Sequence, residues 1–176
     1  MAIYNLISTV TVGSGGTASI DFTSIPQTYT DLQLLVSARS NRTTADAPDD
    51  DILARFNSST SNYSVRALRG SGSAAASVTG SPNTALSRMT MPSSSAISTA
   101  NVFGSLSMYI PNYTSANQKS VSIDVVMEAN FTFSYMFLIA GLWADTSAIT
   151  NIGLTPASGT LFVQYSSASL YGIKNS

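Results

Sequence analysis

Hydrophobic and polar residues alternate most regularly between Lys119 and Asp145. In the first half of this stretch Val121, Ile123, Val125 and Met127 fall on one face, and Ser120, Ser122, Asp124 and Glu128 on the other. Val126 is the one apolar residue out of step. A period of two predicts a strand with one face in the core and one facing out. After Glu128-Ala129-Asn130 a second run begins, with Phe131, Phe133, Tyr135, Phe137 and Ile139 set against Met136, Leu138 and Leu142. Its later half is apolar on both faces, the pattern of a strand covered by the opposite sheet on one side and by a neighbouring subunit or loop on the other. A helix over Tyr135–Ala144 is the competing reading. The aromatic and β-branched start of the run, coming after a hairpin pattern, favours the strand.

Similar alternation recurs along the whole chain. Leu6 to Val12 predicts a first strand, Gly13-Ser14-Gly15-Gly16 a tight reversal, and Ala18, Ile20 and Phe22 a second strand. Residues 4–23 thus read as a hairpin. Leu32, Leu34, Val36 and Ala38 share a face within Asp31–Arg39, and after a polar loop at Ser40–Asp51 come short strands at Ile52–Phe56 and Tyr63–Ala67. Val102 to Ile110 resumes the pattern, and Pro111-Asn112 turns the chain into the central pair. Further strands are expected at Ile149–Leu154, at Leu161, Val163 and Tyr165, and at Ser169–Ile173. The count is eight to ten strands in one domain over residues 1–176, without a convincing helix. Two antiparallel sheets packed as a sandwich, in jelly-roll or similar Greek-key order, would hide this many alternating faces.

Residues 70–100 break the rhythm with a Gly, Ser and Ala-rich stretch that has little capacity to form a core. Loops this long are uncommon inside compact domains and tend to be functional. Its widely spaced Val78, Leu86, Met89, Met91 and Ile97 read as anchors on an arm or long loop that orders against a neighbour, with a flexible surface loop carrying one short strand as the alternative. Met136 and Leu138, on the second face of the central pair, are the other candidate partner contacts.

Composition sharpens the picture. Only 10% of residues are charged, and the formal net charge is −1. Fifty of the 176 residues are Ser or Thr, and there are two Lys and one Glu. A surface poor in Lys and Glu resembles one meant to lie against another protein. The charge balance offers no basic footprint for nucleic acid. No apolar run is long enough to span a bilayer as a helix, and the first residues do not form a signal peptide. These features predict a chain made in a cytoplasm, with neither nucleic acid nor membrane as partner.

The chain has no His and no Cys, which removes imidazole bases, thiol nucleophiles, disulfides and the usual zinc ligands. Glycoside hydrolysis would need two carboxyl groups roughly 5–9.5 Å apart. Asp124 and Glu128 share a face, but four steps of ~3.3 Å along a strand separate them by about 13 Å. Asp21 and Asp145 are the remaining possible partners. The acidic cluster Asp46, Asp49, Asp50 and Asp51 lacks the spacing of a calcium loop and reads as an exposed turn. No cofactor or metal is expected, and no enzymatic activity. Five N-x-S/T triplets, at Asn41, Asn57, Asn62, Asn112 and Asn130, carry no assigned role. Tyr63, Tyr109, Tyr113, Tyr165 and Tyr171 are candidates for stacking on sugar rings.

Two segments carry a resemblance. Residues 20–36, IDFTSIPQTYTDLQLLV, are similar to an element near the start of many structural proteins of tailed bacteriophages. Residues 149–173, ITNIGLTPASGTLFVQYSSASLYGI, resemble the matching ending. The resemblance covers about a quarter of the chain and implies a protein of the virion surface, at work in a homo-oligomer by contact with the major capsid protein or other virion proteins. It leaves open a capsid decoration (cement) protein or a tail-fibre, receptor-binding module that recognises a host glycan. The decoration reading is favoured because the first strand begins soon after Met1 and no heptad shaft is present.

Overall fold

The computed structural model describes residues 3–45, 47–80, 83–130 and 134–174, and among them it contains twelve strands and no helix. In chain order these are β1 (Ile3–Thr11), β2 (Ile20–Phe22), β3 (Asp31–Ala38), β4 (Asp49–Phe56), β5 (Tyr63–Gly70) and β6 (Ala75–Thr79). There follow β7 (Leu86–Pro92), β8 (Gly104–Ile110), β9 (Lys119–Met127), β10 (Tyr135–Trp143), β11 (Ile152–Pro156) and β12 (Ser167–Lys174). They form an eight-stranded sheet in the order β1-β12-β3-β8-β9-β10-β5-β6 and a four-stranded sheet in the order β2-β11-β4-β7.

The architecture is the expected all-β antiparallel sandwich. The pairs β1/β12, β2/β11, β3/β8 and β4/β7 are nested in sequence, with successive members in opposite sheets, which is jelly-roll order. Two hairpins are inserted into this frame. β5–β6 lies between β4 and β7, and β9–β10 between β8 and β11. They meet through the β10–β5 ladder and extend the larger sheet beyond β8. These insertions raise the strand number to twelve, above the eight to ten read from the sequence.

β9 keeps the predicted alternation along its length. Val121, Ile123, Val125 and Met127 are buried, while Ser122, Asp124 and Val126 are exposed. β10 is a strand throughout, so the helical alternative does not apply. Phe137, Ile139 and Trp143 point into the core. Phe131 and Phe133 lie outside the described residues. Trp143 stacks on Tyr63 with ring centroids 6.2 Å apart and meets Phe56 edge-on at 5.7 Å, sealing one end of the sandwich. Aromatic pairs like these contribute roughly 0.5–1.5 kcal/mol beyond their buried area.

Three local expectations are corrected. Residues 4–23 are not a hairpin, because β1 pairs with β12 and β2 pairs with β11 in the other sheet. The Gly13–Gly16 turn carries the chain across the sandwich, since Ile20 and Phe22 bury their side chains against the interior from the smaller sheet. Leu161, Val163 and Tyr165 do not form a strand. Phe162 is the buried residue and bridges Thr17 and Ser40, while Tyr165 sits in a turn at φ 73° with its side chain in solvent.

The third correction concerns residues 70–100, which are not an arm. β6 pairs with β5, and β7 is the outer strand of the smaller sheet, packed across β9, β10 and β5. Leu86, Met89 and Met91 are fully buried there. Leu86 lies over Gly141, where an added Cβ would come within 2.8 Å of its Cδ2 atom. The few large apolar residues of this segment serve as core for the inserted hairpins.

Candidate interaction surface

The smaller sheet covers one face of the larger sheet, and the other face points outward. Register alone defines its rows. One runs Leu35, Ser107, Asp124, Leu138, Leu68, Ser77 across six strands. A second runs Gln33, Tyr109, Ser122, Ala140, Arg66, Thr79. At the strand positions that point outward, the charged residues are Asp31, Arg66 and Asp124, with no Lys and no Glu. Most of the rest are Ser, Thr or apolar. The low charge of the chain is thus concentrated into one broad surface.

Within that surface lies an apolar patch. Leu138 stands directly opposite Leu68, and Met136 directly opposite Val126. Their side chains are 58%, 55%, 62% and 50% exposed in the same order. Cross-strand neighbours on one face have Cβ atoms about 4.5–5.5 Å apart, so the four form a continuous patch. Beside it an open groove of about 620 Å³ runs along β5, β10 and β9, lined by Arg66, Leu68, Tyr109, Pro111, Leu138 and Ala140.

Polar groups around the patch are fixed by hydrogen bonds. Asp31 accepts from the Tyr109 hydroxyl at 2.8 Å and from the Asn112 amide at 2.8 Å. Burial, then the Asp31 carboxylate, pushes the Tyr109 phenol above its ordinary range. At the other end, Glu128 accepts from the Ser134 hydroxyl and the Asn130 amide, each at 2.8 Å, and these bonds hold its carboxyl below the usual range. On the inner face of the same strands Arg69 lies over the Tyr135 ring at 5.2 Å. Among the described residues the outward patch is left exposed.

The fold distributes the sequence-derived candidates unevenly. Met136 and Leu138 lie on the outward patch, whereas Leu86, Met89 and Met91 are core residues with no surface to offer a partner. Leu68 and Val126 complete the patch and were missed. Val126 was visible as the apolar residue out of step in its strand; Leu68 gave no signal until β5 was paired with β10.

Of the five candidate tyrosines, Tyr109 and Tyr171 share one outward row of the larger sheet with Gln33 between them, and the other three stand apart from it. Tyr63 and Tyr113 are buried, with hydroxyls bonded to the Phe56 and Pro26 backbones, and burial raises the Tyr63 pKa to about 12. Tyr165 stands alone at a turn.

The carboxylates are dispersed too. Asp145 and Glu128 lie beyond opposite ends of the β9–β10 pair, which itself spans eight strand steps or about 26 Å at ~3.3 Å per residue. Asp21 belongs to the other sheet. The acidic cluster is not an exposed turn, because Asp49, Asp50 and Asp51 open β4. Buried Asp50 accepts from the Ser158 and Gly159 amides, and Asp51 accepts from the Thr90 hydroxyl at 3.1 Å and the Arg88 amide. Asp46 lies outside the described residues. Among the described residues no group of three acidic, His or Cys side chains is placed to hold a metal ion.

A scan against protein-family models finds no match to this chain, and a search of curated proteins finds no relative.

Proposed function

We propose that this chain is a non-enzymatic structural protein of a tailed-bacteriophage virion, a decoration (cement) protein that binds the head and stabilises it. One observation carries the reading: the outward face of the eight-stranded sheet bears an exposed apolar patch among Ser and Thr-rich strand positions that hold no Lys or Glu. Contiguous exposed apolar patches mark binding surfaces, and depletion of Lys and Glu is the compositional sign of an interface. The resemblance of residues 20–36 and 149–173 to phage structural proteins supplies the identity of the partner. Those two segments lie side by side here, with β2 against β11 and β3 against β12. In this account the sandwich is a rigid body, and Leu68, Val126, Met136 and Leu138 lie against the major capsid protein or another virion component. Homo-oligomers of the chain multiply the contact.

The test is immunogold electron microscopy of purified particles, using antibody raised against this chain. Label spread over the whole head is the expected result. Label confined to the tail tip would replace the decoration role with the fibre role, and particles without label would remove the virion assignment altogether.

A further inference from the structure

Four strands form the edges of the two sheets, and three of them are blunted against pairing with another chain. β2 is three residues long and β6 five. β7 has a register shift, carries Arg88 at φ 68° and ends at Pro92. These are the ordinary protections of an edge. β1 also has a register shift, but it has neither charge nor proline in its nine residues, it is longer than the other edges, and it exposes Ile3, Tyr4 and Leu6. Among the described residues it pairs with β12 alone.

The free side of β1 can be read from its ladder. Val12 donates to the Ser166 carbonyl and accepts from the Tyr165 amide, so its backbone faces β12. Alternation then turns the backbone groups of Thr11 and Thr9 to the free side. At the other end of the strand the Ile173 carbonyl accepts from the Thr30 amide and so faces β3. Its neighbours Gly172 and Lys174 therefore face Asn5 and Ile3, leaving the backbone groups of Tyr4 and Leu6 on the free side. The register shift between Leu6 and Ser8 is what changes the parity. As a result the free groups, at positions 4, 6, 9 and 11, are symmetric about the midpoint between Ile7 and Ser8. An irregularity elsewhere in the strand would have destroyed this symmetry.

We infer that two copies of this chain join β1 to β1 in antiparallel register, about a two-fold axis passing between Ile7 and Ser8, so that their larger sheets become one continuous sheet. In this register Tyr4 lies opposite the partner's Thr11, and Leu6 opposite the partner's Thr9. Each facing pair exchanges two backbone hydrogen bonds. A two-fold β1–β1 contact fits better than the other pairing open to this edge. β1 against β6 would match nine residues with five and leave a head-to-tail contact that need not close, whereas an isologous two-fold contact closes on itself. Two uncharged edges meet without repulsion. The axis stands perpendicular to the sheet, so the outward faces of both copies lie on the same side. The inference stands on β1 alone and does not depend on the virion assignment.

The test combines sedimentation velocity with residue-resolved amide exchange at two concentrations about 100-fold apart, so that mass action moves the equilibrium. The dimer should form at the higher concentration, and the amides of Tyr4, Leu6, Thr9 and Thr11 should then exchange at least ~10-fold more slowly. Thr9→Pro removes a donor that faces away from β12, and Leu6→Lys places two like charges near the axis. Both variants should remain folded by circular dichroism and stay monomeric, whereas Leu138→Asp should dimerise like the parent chain. Three results would overturn the inference: amides at these four positions that are unprotected at every concentration, a dimer that survives both substitutions, or a dimer abolished by Leu138→Asp. If Thr9→Pro or Leu6→Lys fails to fold, the exchange pattern of the parent chain decides alone.

Discussion

β7 and β10 carry the same kind of side chains and use them in opposite ways. β7 presents Leu86, Met89 and Met91, and all three are fully buried. β10 presents Met136 and Leu138, and both are more than half exposed. Residue type does not separate them. Position in the topology does, because β7 is the strand of the smaller sheet that lies over the inserted hairpins, whereas Met136 and Leu138 belong to the face of the larger sheet that no described strand covers. A methionine in a Ser-rich segment is therefore no sign of a mobile arm, and a leucine in a regular strand is no sign of core.

The sharpest way to break this contrast is to truncate on the buried side. Leu86→Ala should lower the unfolding free energy in urea by about 2–5 kcal/mol, as buried leucine truncations do. A loss below about 0.5 kcal/mol, the range of surface substitutions, would contradict the placement of β7 in the core. Next in size is Gly141→Ala. Its new methyl would come within 2.8 Å of Leu86 Cδ2 and 2.9 Å of Val121 Cγ2, so the same melt should show a loss of about 1–3 kcal/mol from overpacking. Equal stability would mean that β7 is not seated on β10 as described.

A smaller effect is expected from acid titration. Burial is the main reason the Asp51 carboxyl is raised above its ordinary range, outweighing its bond from Thr90. A raised value in the folded state means that the stabilising contribution is complete at low pH and is lost as pH rises through the folded value. Asp51→Asn removes that dependence. The melting temperature of the variant relative to the parent should therefore climb between about pH 3 and pH 7, the span in which carboxylates titrate. The exposed Glu128 and Asp145, whose carboxyls are lowered, cancel in this comparison. A difference that is flat or falls with pH would show that the Asp51 carboxylate is not desolvated.

The smallest effect on stability belongs to the outward side. Leu138→Lys should lower the unfolding free energy by no more than about 0.5 kcal/mol, since the side chain already faces solvent and the new charge stands opposite Asp124. The same substitution should abolish attachment to particles in a co-sedimentation assay. A destabilised variant would place Leu138 in the core after all.

Much of the fold was legible because an alternating strand announces its own buried face. β3, β5, β8 and β9 bury the residues that their periodicity selects. What the pattern cannot specify is which strand pairs with which. The 4–23 hairpin failed for that reason, since jelly-roll nesting gives β1 and β2 to partners from the far end of the chain. Residues 161–165 failed because one buried Phe162 between two turns imitates a strand of the opposite parity. A usable signal was passed over in the N-x-S/T triplets. Asn57, Asn62, Asn112 and Asn130 all adopt positive φ, the conformation that Asn tolerates best after Gly. Those triplets mark turns between strands. Of the outward patch, Met136, Leu138 and Val126 stood out in the alternation, and Leu68 required the β5–β10 register.

Methionine oxidation, read by mass spectrometry, tests the central claim most directly, because the chain carries its own probes on both sides of the contrast. Met89, Met91, Met108 and Met127 are fully buried, and Met136 lies at the centre of the outward patch. In the free protein, dilute peroxide should oxidise Met136 rapidly and leave those four nearly untouched. On intact particles Met136 should become protected, while the buried four remain as they were. Met136 oxidising equally fast on the particle and in solution would contradict the claim that this face of the larger sheet is the surface applied to the shell.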